Sequence, residues 1–237
     1  MLRKLIPLAG ALLLAAPHLS AQIDVSKIFG SGSSKNLSNT DVVDGLKEAL
    51  EVGTKNTVDI TGKTDGYFGN ALIKILLPKE LQQVEQGLRL IGQGEKVDEL
   101  VLGMNRAAEK AAPGAKDIFW GAIKSMSFDD ARKILSGGDT AATDYFRAKT
   151  TDTLTAKFRP VVADSMKDVG VVQQYKSLQA SYQSVPLASS LPSVDIESYV
   201  VSKALDGLFL VLGQQEKEIR TNPQAQVTSL LKKVFGK

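Results

Sequence analysis

From Asn39 onward the apolar residues recur at intervals of three and four, the period of a helix with one buried face, and alternation by twos is nearly absent. Asn39 or Thr40 can cap a first helix whose apolar positions are Val42, Val43, Leu46, Ala49, Leu50 and Val58. Thr61 to Asn70 (TGKTDGYFGN) holds three glycines and reads as a loop. Asn70 to Leu77 (NALIKILL) fits a short helix or an extended run, and Pro78 ends it and can open the next helix. Leu81, Val84, Leu88 and Ile91 give one amphipathic helix, closed by Gly92 and Gly94. Val97, Leu100, Val101, Met104 and Ala108 give a second, which must kink or end near Pro113. Ile118, Phe119, Ala122, Ile123 and Met126 form a third.

Ser127 and Asp130 have the spacing of a capping box before Ala131 to Leu135, and Gly137-Gly138 supplies the stop. Thr140 to Tyr182 predicts one or two long helices, broken near Pro160. Val185 to Pro192 reads as a loop, and Ser193 to about Arg220 as a long helix, apolar nearly all round at Leu208 to Leu212, as in a central buried helix. Asn222-Pro223 can cap a last helix lined by Val227, Leu230, Leu231 and Val234. No repeat recurs at a fixed period. The pattern predicts an all-α, single-domain multi-helix bundle over residues 39–237, a length that one core can serve.

The first residues have a different grammar. Met1-Leu2-Arg3-Lys4 is a basic start, Leu5 to Ala16 is apolar, and Pro17 to Ala21 ends in small residues. That order predicts a signal peptide over residues 1–21, cut after Ala21 or alternatively after Ala16. An apolar run of about 12 residues is too short for a bilayer span of about 20. The site has no Cys to acylate, so a lipid anchor is not expected. Residues 22–38, Gly/Ser-rich from Ser26, read as a flexible lead-in. The expected product is an exported protein, periplasmic or secreted, with no transmembrane segment in the mature chain.

Composition narrows the chemistry. The chain has no Cys, and its one His, His18, falls inside the expected leader. The mature chain then has no imidazole base for a serine nucleophile, no thiolate and no Cys/His zinc cage. Carboxylates, hydroxyls, amides, Lys and Arg remain. Loss of Arg3 and Lys4 with the leader leaves 27 basic against 26 acidic residues, and no basic stripe is interleaved with aromatics, so nucleic acid is not an expected partner. No cofactor or metal is expected.

Asn105-Arg106-Ala107-Ala108-Glu109 is the most unusual stretch. Asn105 and Glu109 lie one turn apart on one face, beside an Ala-rich surface that another element can approach closely. Asn105, Arg106 and Glu109 are therefore the candidate binding residues. The competing and favoured reading is a buried polar pair that fixes helix register by hydrogen bonds. Thr140 to Phe146 (TAATDYF) reads as a capped helix start with close packing. Glu216 and Arg220, at i and i+4, read as a surface salt bridge, with a metal or acid–base role for Glu216 or Glu218 the lesser alternative. Asp129-Asp130 suits a helix start. Asp65 to Asn70 lacks the acidic ligands of a calcium loop, and Gly62-Lys63-Thr64 lacks the upstream Gly and strand of a phosphate loop.

Leu46 to Gly53 (LKEALEVG), Asn105 to Pro113 (NRAAEKAAP), Ala141 to Phe146 (AATDYF) and Glu218 to Phe235 (EIRTNPQAQVTSLLKKVF) together resemble the bacterial exported family catalogued as domain of unknown function 4197. The resemblance covers about Asn39 to Lys237. It implies an all-helical secreted or periplasmic protein of Gram-negative bacteria and transfers no activity or catalytic residue. Three functions stay open. They are a non-enzymatic binding or scaffold protein with an envelope protein as partner, a carrier of a lipid-like ligand, and a hydrolase using only carboxylates.

Overall fold

The computed structural model describes residues 39–168, 170–183, 194–222 and 225–226. The expected leader, the lead-in, the loop at 185–192 and the helix lined by Val227 to Val234 lie outside the described residues.

Among the described residues eight α-helices follow one another: α1 (Asn39–Gly62), α2 (Gln82–Leu90), α3 (Gly94–Ala111), α4 (Ala115–Lys124), α5 (Phe128–Ser136), α6 (Ala141–Asp168), α7 (Val171–Gln183) and α8 (Ile196–Thr221). Short 3-10 turns, Lys79–Leu81 and Ala112–Gly114, lead into α2 and join α3 to α4. No strand occurs among the described residues. The fold is the expected all-α bundle. Its middle is α8, which packs against α6, α1 and α3, while α4 lies against α6 and α1, and α7 against α3 and α6. The face of α8 from Val200 to Leu212 is buried as the pattern requires, although Leu210 emerges to solvent. Phe119 of α4 meets Phe146 of α6 at 5.2 Å and Phe209 of α8 at 6.2 Å, both edge-on, which ties three helices through aromatic contacts.

Local signals worked where they were complete within one turn. Ser127 Oγ accepts from the Asp130 amide and Asp130 accepts from the Ser127 amide, so the capping box is closed. Hydrogen bonding to Ser127 holds the Asp130 carboxyl below its ordinary range. Asp195 caps α8 by accepting from the Ser198 amide, which likewise lowers its carboxyl. Pro113 sits in the turn where α3 ends.

The expected break at Pro160 is corrected. α6 runs through Pro160 unbroken, and the chain turns instead at Gly170, whose φ of 71° places it in the left-handed region that glycine tolerates. The reason is position on the helix. Leu154, Phe158, Val162 and Met166 form the buried stripe, and Pro160 faces solvent, where water can serve the Ala156 carbonyl that Pro leaves without an amide partner.

The 70–77 segment is neither of the expected alternatives in regular form. It makes a turn at 71–73 and then runs extended to Pro78 with no ladder partner. Ile73, Ile75 and Leu77 point into the core. Two side chains from the bundle take over its hydrogen bonds, as described next.

Candidate functional site

Asn105 stands on α3 with no exposed surface. Its Oδ1 accepts from the Ile75 amide at 2.8 Å, and its Nδ2 donates to the Ile75 carbonyl at 2.8 Å and to the Val101 carbonyl at 2.7 Å. A side-chain amide has the same donor–acceptor pair as a peptide group, so Asn105 acts as a single ladder rung for a segment with no strand beside it. Tyr199 donates its hydroxyl to the Leu76 carbonyl at 2.9 Å, and Asn70 folds back to accept from the Leu72 amide.

One turn further on, Glu109 is also buried. Its Oε1 accepts from two successive amides, Tyr67 and Phe68, each at 3.1 Å, and its Oε2 pairs with Arg106 at 2.6 Å. Arg106 reaches on to Asp65 at 2.7 Å, and pairing with Glu109 and Asp65 holds its guanidinium above its ordinary value. Asp65 has a φ of 62°, and the arginine holds it from outside. The three candidate residues are thus brought together, and all three hold the 65–77 stretch against α3. The Ala-rich surface beside them is filled: Ala107, Ala108, Ala111 and Ala112 are buried in the core.

Tyr67 carries the same stretch to α8. It is fully buried and donates to the Ala204 carbonyl at 2.6 Å. Burial, with the Glu109 charge second, pushes its phenol well above the ordinary value near 10. Its ring fits because residue 207 is glycine. A Cβ there would lie 2.7 Å from Tyr67 Cε1 and 3.0 Å from Ile73 Cβ.

The expectation of a surface salt bridge at Glu216 and Arg220 is also corrected. Both side chains are largely buried, at 5% and 14% exposure. Glu216 accepts from the Ala142 amide at 2.9 Å, and from the Thr143 amide and hydroxyl, each at 2.8 Å. Arg220 binds the same carboxylate at 2.8 Å and donates to the Ile134 carbonyl at the end of α5. Glu216 therefore caps the start of α6 from a different helix, satisfying amides that open every helix unpaired. The small residues of Ala141-Ala142-Thr143 admit the carboxylate, and the Gly137-Gly138 turn brings the C-terminal carbonyls of α5 beside its arginine.

Sequence reasoning missed this cap, the Tyr67 anchor and a stripe of buried hydroxyls on α1. Thr54, Thr57 and Thr61 donate to the carbonyls of Leu50, Gly53 and Thr57, so each is satisfied within its own helix while the helix faces the core. The spacing 54, 57, 61 is helical, and the signal was there had hydroxyls been counted with the apolar face.

Glu109 and Glu216 are the buried charged side chains among the described residues, and they share no hydrogen-bond partner. No group of three or more His, Cys, Asp or Glu stands together among the described residues. A cavity of about 20 Å³ lies beside Glu216 and Arg220 between Leu46, Leu50 and Phe146, which is room for a single water. No described helix is long and apolar enough to cross a membrane.

Residues 36–236 fit the model of a family described as protein of unknown function (DUF4197). No curated protein and no solved structure matches.

Proposed function

The chain belongs to the DUF4197 family, and from that premise we propose that it is an exported, non-enzymatic scaffold protein that docks a protein partner of the cell envelope. The observation that carries this reading is the display of segment 70–77. Its inner residues are locked by Asn105, while Leu72 and Leu76 stand 68% and 59% exposed on the outside. Large apolar side chains held on a fixed backbone bind a partner with little ordering cost. The buried carboxylates support the non-enzymatic part. Each is occupied by two backbone amides and an arginine, which leaves little capacity for proton transfer to a substrate. The leader-like residues 1–21 support export.

The test combines fractionation with site-specific crosslinking. Intact mass of protein from the periplasmic fraction is expected to show a start at Gln22. A photo-crosslinker at position 72 or 76 is expected to give one discrete protein adduct that the exposed control position 157 does not give. Protein retained in the cytoplasm with its leader refutes export. A crosslink pattern identical to that of the control refutes docking.

A carrier of a lipid-like ligand has less support, since the 20 Å³ cavity is far below the few hundred Å³ typical of small-molecule sites.

A further inference from the structure

A second surface has a chemistry that the scaffold reading does not use. Between α6 and α8 runs an open groove of about 180 Å³. The two helices are antiparallel, since Thr143 meets Glu216 at one end and Arg159 meets Ser198 at the other. One wall is a row with a strict four-residue repeat on α6: Arg147, Thr151, Thr155 and Arg159. Its two arginines are twelve residues apart, about 18 Å along the axis, with side chains long enough to lean toward the middle. The facing wall carries Ser202 and Asp206.

The donor and acceptor inventory of this groove is specific. Arg147 lines the groove with an exposed side chain whose guanidinium carbon lies 4.5 Å from the centre of the Phe209 ring, and no hydrogen bond or ion pair among the described residues engages its N–H groups. Arg159 uses one nitrogen on Ser198 at 3.2 Å. Thr151 and Thr155 donate their protons to their own helix, to the carbonyls of Arg147 and Thr151, and so present only lone pairs to a ligand. Asp206, neutralised by Lys203 at 3.1 Å, is a further acceptor. The groove thus offers cationic forks at its ends and acceptors along its middle. A plain inorganic anion matches the first and is repelled by the second. A hydroxylated molecule with an oxyanion matches both, because its hydroxyls donate where the threonines and Asp206 accept.

We propose that the α6–α8 groove binds an acidic saccharide, with its carboxylate or phosphate held by Arg147 or Arg159 and its hydroxyls on Thr151, Thr155 and Asp206. Arginine is suited to either oxyanion through paired N–H groups. The site is independent of the Leu72–Leu76 surface, and either can fail without the other.

The experiment follows the arginine Nε–H signals of the full chain by NMR during titration, with calorimetry in parallel. The probes are trigalacturonate, glucose 6-phosphate, maltotriose and inorganic phosphate. Saturable shifts at Arg147 and Arg159 are expected with trigalacturonate if the oxyanion is a carboxylate, or with glucose 6-phosphate if it is a phosphate. Maltotriose and inorganic phosphate are expected to bind at least tenfold more weakly than the better acidic sugar. R147Q is expected to weaken that sugar at least tenfold, and T155V to weaken it while leaving inorganic phosphate unchanged. S202D, which adds a charge to an exposed wall and leaves the core intact, is expected to abolish binding in a protein with an unaltered circular dichroism spectrum. No saturable shift with either acidic sugar overturns the proposal. So does phosphate or maltotriose binding as tightly, or a folded S202D that binds like the parent.

Discussion

Replacing Asn105 by Ala removes the partners that the Ile75 peptide group has among the described residues. The Ile75 amide and carbonyl are both bonded to this one side chain at 2.8 Å, in a position with no exposed surface. The Val101 carbonyl loses a bond too, but it keeps its ordinary helical partner. Stranding a buried donor or acceptor costs about 1–3 kcal/mol each, and some of that is recovered if a water enters the space left by the amide. We expect a net loss of about 3 kcal/mol, a large part of the roughly 5–15 kcal/mol that holds a domain folded. At about 2–4 °C per kcal/mol for a domain of this size, the melting temperature should fall by about 6–12 °C. Urea denaturation followed by circular dichroism measures the change, and the Ile75 amide should lose its exchange protection in the same variant. A change within about 0.5 kcal/mol, or a gain, refutes the reasoning. It would mean that Asn105 carries strain of the kind stored at binding sites rather than supporting the segment.

Three other perturbations follow from the same geometry. Glu216→Ala removes the carboxylate that the largely buried Arg220 binds and uncaps α6, and is expected to cost about 3–5 kcal/mol by urea denaturation; a loss under 1 kcal/mol would restore the surface salt bridge. Pro160→Ala restores an amide donor to the Ala156 carbonyl on the solvent side of α6, and is expected to stabilise by about 2 kcal/mol in thermal melts; destabilisation would mean that the Pro ring packs on something. Tyr67 has a phenol raised in the folded state, so its contribution to stability is complete below about pH 10 and is lost as pH rises past that value, where the unfolded chain ionises first. Tyr67→Phe should flatten the fall of stability above about pH 10 and lower stability at pH 7 by about 1 kcal/mol; an unchanged alkaline slope would contradict the burial argument.

What could be read from the sequence was what each helix encodes within itself. The run Val97, Leu100, Val101, Met104, Ala108 places α3, and Ser127 with Asp130 places the start of α5, because both signals close within a turn or two. The 70–77 segment could not be assigned on that basis. Its conformation depends on an amide 30 residues away and a tyrosine hydroxyl 123 residues away. Glu216 and Arg220 have the spacing of a common exposed pair, and only the arrival of Ala142 and Thr143, more than 70 residues earlier in the chain, makes the pair buried. Pro160 misled because the rule for proline concerns the lost hydrogen bond and says nothing of which side of the helix loses it. The site stretch at Asn105 to Glu109 was visible because a polar pair interrupts an apolar face, although its partners were not.

Polar side chains hold the backbone groups of other elements throughout this fold. Residue-resolved hydrogen–deuterium exchange of the unmodified chain tests this directly at Tyr67, Phe68, Ile75, Ala142 and Thr143. None of these five amides has its bond inside a helix or sheet; each is bonded to Asn105, Glu109 or Glu216. They are predicted to exchange as slowly as the interior amides of α3 and α8, opening only with the whole domain. Exchange at the rate of an open loop at Ile75, Tyr67 and Phe68, with α3 still protected, would show that the stretch is not clamped and would contradict the account.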